Sequence, residues 1–233
     1  MNLDNQLIVI NTPKGNKYLA VIDIEKEFTT NEGKFKFSEI KKIPYIVVTS
    51  TGIKFKIYKP TYKEFVLLMK RGPQIIYPKD VAQIVLESNI HNSSKVLEIG
   101  SGSGALTLYL YTLLKNTGKL YSLDSSRINQ RRADKTISRY ISTLSKKNND
   151  ITFLNEELAN FDLMKLDENI EAIITDVPEP WEFFANNKIE NSINWVSYLP
   201  SMTQVMRMDG VLKDEQFQDI EVKEVILRDW VVD

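Results

Sequence analysis

Through residue 60, apolar positions fall in short runs separated by turn-forming residues. The runs are 7–10, 18–22, 33–37, 45–48 and 53–57, and in Gly33-Lys34-Phe35-Lys36-Phe37 apolar and charged positions alternate strictly. Alternation with period two is the mark of a strand with one buried face. Thr12-Pro13-Lys14-Gly15, Asn31-Glu32-Gly33 and Ser50-Thr51-Gly52 supply turns between the runs. The pattern predicts a small antiparallel β-domain over 1–62, closed at Lys59-Pro60-Thr61 because proline cannot join a hydrogen-bonded ladder.

Beyond residue 62 the period changes. Residues 62–70 read as a short helix, and 79–89 as a second, with Val81, Ile84 and Val85 at helical spacing. From 95 onward buried strands alternate with helices: strand 96–99, helix 106–114, strand 120–123, helix 126–144, strands 151–154 and 172–175. Two later strands are expected at 195–199 and at 222–232, the second interrupted by charges. Such alternation predicts an α/β domain over 63–233, built on a parallel sheet covered by helices.

Composition narrows the chemistry. Lys plus Arg number 30 against 31 acids, so no global field draws the chain to nucleic acid, and any basic surface must be local. There is no cysteine, which excludes disulfides, thiolate catalysis and cysteine-based zinc sites and suits a reducing, cytoplasmic setting. The one histidine, His91, sits in a polar loop with no nucleophile apparent nearby and reads as a loop residue; no metal site is expected. The N-terminus lacks the basic and apolar segments of a signal peptide, and no stretch approaches the ~18 apolar residues of a membrane span.

Against this background Val96-Leu97-Glu98-Ile99-Gly100-Ser101-Gly102-Ser103-Gly104-Ala105 stands out, because three of nine glycines fall within positions 100–104. The glycines lie where a strand hands over to a helix, where bare backbone admits a ligand and the helix N-terminus favours negative charge. The pattern fits NAD or S-adenosylmethionine equally, since both present an adenosine to such a sheet. Asp124 ends the next strand, about 20 residues on, and can accept hydrogen bonds from a ribose diol or instead cap the following helix with Ser125 and Ser126. After the third strand Glu157 or Glu156 is placed to bind the adenine amino group, and Glu157 is taken. After the fourth come Asp176-Val177-Pro178-Glu179-Pro180-Trp181: an acid, a stiff loop and a flat aromatic surface, which suit methylation of a nitrogen on a planar base better than hydride transfer. Arg127, Arg131, Lys135 and Arg139 recur at i, i+4 spacing opposite Ala133, Ile137, Ile141 and Leu144. That local basic stripe, and a second set of Lys54, Lys56, Lys59 and Lys63, could meet phosphates or simply solvent.

Four stretches together resemble the archaeal-type tRNA (adenine-N1)-methyltransferases that act on the T-loop at position 58 and sometimes 57. They are residues 70–80 (Lys-Arg-Gly-Pro-Gln-Ile-Ile-Tyr-Pro-Lys-Asp), the glycine loop through Thr107, the loop from Asp176 to Trp181, and residues 198–205 (Tyr-Leu-Pro-Ser-Met-Thr-Gln-Val). The resemblance spans nearly the full chain. It implies a Rossmann-like class I methyltransferase fold behind the small β-domain, S-adenosylmethionine as cofactor, tRNA as partner and a homotetramer. It also implies Asp176 as the catalytic residue, and cofactor contacts from Gln74, Tyr77, Glu98, Gly100, Ser101, Gly102, Ser103, Gly104, Ala105, Asp124, Glu157 and Asp176. Tyr77, Pro178, Trp181, Arg127 and Arg131 are the expected substrate contacts. Residues 189–194 replace the family's usual Gly-Gly turn, and the chain ends at Asp233 where the family continues into further strands, so an open sheet edge is expected. The alternative reading is a shortened, non-catalytic paralogue that binds tRNA or supports a catalytic partner.

Overall fold

The computed structural model describes residues 3–69, 74–114, 117–142, 150–166 and 169–230. They form two compact units, 3–69 with 138–142 and 74–137 with 150–230. Lys70 to Pro73 of the first resemblance stretch, and Leu144 of the long helix, lie outside the described residues.

In the first unit β1 (Leu7–Asn11), β2 (Lys17–Val21), β5 (Tyr45–Val48) and β6 (Lys54–Tyr58) form an antiparallel sheet in the order β2-β1-β6-β5. A hairpin of β3 (Glu27–Thr30) and β4 (Gly33–Lys36) accompanies it. Strand β3 was not expected, since Phe28 is its one large apolar residue. Pairing supplies what its own pattern lacks: Phe28 sits opposite Phe35, with ring centroids 5.7 Å apart. Ile8, Ile10, Phe35, Phe37, Phe55 and Ile57 make the core. Helix α1 (Tyr62–Leu68) belongs to this unit and starts in a capping box, in which Thr61 Oγ1 accepts from the Glu64 amide and Glu64 reaches back to the Thr61 amide. Glu64 also receives Lys17 at 2.6 Å and the Tyr58 hydroxyl at 2.8 Å. Burial alone would raise its pKa, but the hydrogen bonds from Lys17, Thr61 and Tyr58 win and hold the carboxyl at about 2.

The second unit holds α2 (Pro78–Glu87), β7 (Lys95–Ile99), α3 (Ala105–Leu113), β8 (Lys119–Leu123), β9 (Asp150–Leu154), β10 (Ala172–Thr175), β11 (Asn194–Ser197) and α5 (Met202–Asp214); α4 spans Arg127–Ile141. All five strands are parallel, in the order β11-β10-β7-β8-β9. Side chains alternate between two cores: Val96, Leu120 and Ile174 join Val81, Ile84 and Leu110 on one face, while Leu97, Tyr121 and Ile173 join Phe161 and Phe183 on the other. The chain starts at β7, runs outward through β8 and β9, then returns to place β10 on the other side of β7. That reversal opens a crevice at the carboxyl ends of β7 and β10, the place where doubly wound sheets bind ligands.

Two elements depart from expectation. Helix α5 is absent from the sequence reading, although Ser201 caps it by accepting from the Gln204 amide and Met208 and Leu212 bury its inner face at i, i+4 spacing. The strand expected over 222–232 does not form: residues 222–230 have no regular structure, and 231–232 lie outside the described residues. Val222, Ile226, Leu227 and Trp230 are exposed among charges that break any period-two face. The segment is held to α2 by side chains instead, Lys79 Nζ donating to the Val225 carbonyl at 2.8 Å and Lys223 pairing with Glu87 at 2.8 Å.

Candidate active site

A cleft of about 460 Å³ lies at the crevice, walled by Gln74, Gly100, Gly102, Asp124, Glu156, Glu157 and the 176–179 loop. Its floor is the glycine loop. Gly100 (φ +100°) brings β7 and β10 together, since a Cβ there would collide with the Asp176 carbonyl oxygen. Gly104 (φ +79°) sets the start of α3 against α4, where a Cβ would lie 2.5 Å from Ala133 Cα. Gly102 faces open space within the cleft, leaving bare backbone for a ligand.

Asp124 follows β8 as a strand-end carboxylate that does two jobs at once. Its oxygens accept from the Ser126 amide at 2.8 Å and the Gly102 amide at 3.2 Å, and from Asn129 Nδ2 at 3.2 and 3.3 Å. It lines the cleft and braces the turn before α4, whose cap is Ser126, with Oγ accepting from the Asn129 amide at 3.3 Å. Asn155 locks the same corner, its Nδ2 donating to the carbonyls of Asp124 and Ser125 at 2.9 and 2.8 Å. Across the cleft Glu156 is paired with Lys165 at 3.2 Å, whereas Glu157 is exposed and its carboxylate has no partner among the described residues.

Asp176 sits opposite, its amide continuing the ladder to the Ile99 carbonyl at 2.8 Å. Among the described residues its carboxylate has no hydrogen-bond or ion-pair partner. Burial without compensation pushes its pKa up to about 6. A half-buried, unpaired acid in a cleft is an expense to folding and an asset to chemistry.

The other expected site residues are distributed differently. Glu98 is not in the cleft wall: it is fully buried beneath the loop, with Ser122 Oγ donating to Oε2 at 2.6 Å and Thr107 Oγ1 to Oε1 at 3.0 Å. Ser101 Oγ lies 2.7 Å from Ser122 Oγ, so Glu98 anchors the glycine loop from below. Desolvation outweighs these hydrogen bonds and pushes the Glu98 pKa to about 8. Ser101, Ser103 and Ala105 are buried in the turn, and Gly104 faces α4. Tyr77 is exposed at the N-cap of α2, outside the cleft wall. Arg127 and Arg131 are exposed on α4, Arg127 Nε donating to Asn155 Oδ1 at 2.9 Å. Pro178 is in the wall, but Trp181 lines an adjoining cavity of about 370 Å³ with Thr203, Gln204 and Arg207. Asn129 and Arg207 are the residues that sequence reasoning missed. Asn129 stands five positions after Asp124, a helical turn that returns it to the strand end, and Arg207 lies on the helix that was not foreseen.

Parallel sheet, reversal point, glycine loop and strand-end acids define a Rossmann-like class I methyltransferase. Solved structures agree on the fold: an S-adenosylmethionine-dependent O-methyltransferase from Thermotoga maritima superposes with TM-score 0.86 over 98% of this chain and 84% of that one, at 22% identity. The tRNA (m1A58) methyltransferase TrmI from Aquifex aeolicus superposes with TM-score 0.68 over 91% and 82%, at 24% identity. More particularly, the chain belongs to the family described as tRNA methyltransferase complex GCD14 subunit, which it matches over residues 55–233. It is 30% identical to the tRNA (adenine(57)-N(1)/adenine(58)-N(1))-methyltransferase TrmI of Methanocaldococcus jannaschii, over 93% of this chain and 83% of that one. With the tRNA (adenine(58)-N(1))-methyltransferase TrmI of Thermus thermophilus it shares 28%, over 80% and 71%. A Yarrowia lipolytica relative, named the catalytic subunit TRM61, is 27% identical over 92% of this chain and 55% of its own length. No helix among the described residues is long and apolar enough to cross a membrane.

Proposed function

We propose that this protein transfers a methyl group from S-adenosylmethionine to N1 of adenine in the tRNA T-loop, at position 58 and, as in the archaeal relative's name, also at 57. The observation that carries the reading is Asp176: an unpaired, half-buried carboxylate at the end of β10, in the same cleft as the glycine loop and Asp124.

The cleft suits an adenosyl cofactor by its donor set and its bare floor. Asp124 is oriented by four hydrogen-bond contacts to accept from a ribose diol. Glu157, free where Glu156 is paired, is the residue we assign to the adenine amino group. Glu98, Ser101, Ser103, Gly104 and Ala105 contribute by shaping the loop, and Gln74 by closing the cleft wall. When bound, the cofactor supplies an electrophilic methyl on a sulfonium; the N1 lone pair forms the new bond and the S–CH3 electron pair stays on sulfur.

Neutral adenine needs no base to release that lone pair, but its methylated product is a cation. Asp176 accepts a hydrogen bond from the N6 amino group, orients the ring and stabilises the charge that grows in the transition state. Pro178 and the rigid loop hold the ring in line, and orientation of this kind is worth on the order of 7 kcal/mol. Arg127, Arg131 and Tyr77 contact the RNA outside the cleft. Cytoplasmic residence and assembly as a homo-oligomer, a tetramer by resemblance, complete the proposal.

Incubation with labelled cofactor and unmodified tRNA, followed by nucleoside analysis, is expected to place label in 1-methyladenosine. Asp176→Ala should lower kcat by 100-fold or more, about 3 kcal/mol for loss of one preorganised electrostatic contact, with cofactor affinity retained. Full activity in that variant would remove Asp176 from the mechanism. Cofactor binding without any methyl transfer by the wild type would favour the non-catalytic paralogue.

A further inference from the structure

The cavity beside the cleft has a construction of its own. Trp181 forms its floor, half-buried at the start of the 3-10 turn Pro180–Ala185. Arg207 covers the indole face, its guanidinium carbon 4.0 Å from the ring centroid. Thr203, Gln204 and Arg207 lie on one face of α5, and Gln204 Nε2 donates to the Pro178 carbonyl at 2.9 Å, tying that helix to the loop that carries Asp176. Burial of Met208 and Leu212 fixes α5 from behind. The floor is therefore rigid and the lid is not: among the described residues the Arg207 guanidinium is otherwise held only by Glu179, at 3.8 Å, with both side chains more than half exposed. Exposed pairs of that length contribute little, so the guanidinium can be displaced cheaply.

A flat aromatic floor under a displaceable planar cation is an arrangement that fits a nucleobase by stacking on both faces. The cavity shares Pro178 and Glu179 with the main cleft, so its occupant is a neighbour of whatever sits over Asp176. A base in the cleft must have left its stack, and that exposes the base beside it. Trp181 lines this cavity and not the wall around Asp176, which assigns it to the neighbour and not to the target.

We infer that the Trp181–Arg207 cavity is a second nucleobase subsite, which takes the base adjacent to the target adenine between indole and guanidinium. The inference rests on the RNA-methyltransferase reading of the adjoining cleft. Its test uses T-arm RNA hairpins, unmodified or with an abasic nucleotide on the 5′ or 3′ side of the target, and the full chain as wild type, Trp181→Ala and Arg207→Ala. For the wild type, one abasic neighbour should weaken binding and raise KM about tenfold, the loss expected of one stacked base. Each variant should show a similar rise in KM on unmodified RNA with kcat at saturation and cofactor affinity held, and neither should discriminate against the abasic hairpin. Arg207 is exposed, so its variant carries the test even where Trp181→Ala disturbs folding.

Equal binding of abasic and unmodified hairpins by the wild type overturns the inference. So do penalties that simply add when variant and abasic RNA are combined, and so does an Arg207→Ala defect that disappears at high salt, the sign of a phosphate contact alone. Failure of the wild type to methylate any hairpin is a different result and strikes the proposed function itself.

Discussion

In the proposed reaction Asp176 is the residue on which turnover depends, and its ionisation can be followed. With a folded pKa of about 6 and no partner for its carboxylate among the described residues, it is mostly ionised at neutral pH and loses its charge as pH falls through that value. Only the ionised form accepts from the adenine amino group in full, and the positive charge of bound cofactor favours it further, so the inflection in the complex falls at or below 6. The wild-type kcat/KM for RNA is expected to be level from about pH 7 to 9 and to decline towards tenfold per unit on the acid side. Asp176→Asn, slow throughout, should lack that inflection; its persistence in the variant would assign the titration to another group. Glu98 is an acid of the same strand ends with the opposite fate. A carboxyl at about 8 is largely protonated at neutral pH, and its contacts with Ser122 and Thr107 give it a positioning role beneath the loop.

The glycine loop works because β7, β10 and the start of α3 are forced close together. Gly100 is the tightest point, with the Asp176 carbonyl oxygen in the space a Cβ would need and a backbone φ that L side chains rarely adopt. Gly100→Ala must therefore push the loop away from β10 or strain it, at a cost of roughly 1–3 kcal/mol. Calorimetric titration should show S-adenosylmethionine binding weakened at least tenfold, with the far-ultraviolet circular dichroism unchanged; wild-type affinity would mean that the loop tolerates the shift. Helix α5 supplies the complementary wall, and its omission from the pattern reading has a simple source. Only Met208 and Leu212 of its residues are buried, so most of the apolar stripe that identifies a helix is missing. Residues 222–230 show the reverse case: apolar enough to suggest a strand, but with lysine contacts to α2 in place of a ladder.

Across the chain as a whole, stability and the cleft are linked by charge. Glu98 holds a proton in the folded state up to about pH 8 that it releases near 4.5 when unfolded, so folding binds a proton in that window. Stability must then fall as pH rises from about 4.5 to 8, and Asp176 adds a smaller decline of the same sign between about 4 and 6. Glu64 acts oppositely, adding stability above its unfolded value and losing it as pH falls from about 4.5 to 2. Glu98→Gln keeps the shape on a neutral group: one hydroxyl still donates to its oxygen, and the other must turn to accept from its amide nitrogen. Its thermal midpoint should be nearly level from pH 6.5 to 8.5, where the wild-type midpoint declines. An unchanged slope would show that Glu98 is not the proton-binding group.

Much of this was readable from residue order. Short apolar runs between turn signals named five of the six strands of the first unit, and the alternation of apolar strands with helical segments placed every strand of the parallel sheet. Those patterns are local, because burial of one face leaves its mark every two or every three to four residues. Asp124 and Asp176 were legible for the same reason, standing where apolar strands end at the open edge of a sheet. Other features depend on which segments meet, and a one-dimensional pattern does not contain that. Whether an acid next to a glycine loop points into the cleft, as Asp124 does, or beneath it, as Glu98 does, follows from the neighbours that fold around it. The stacking of Arg207 on Trp181, 26 positions apart in the chain, exists only because α5 returns to the loop after β10. Residue order defined the fold class and the acids at the strand ends; packing decided which of them lines the cleft and which is buried beneath it, and set a second cavity beside it.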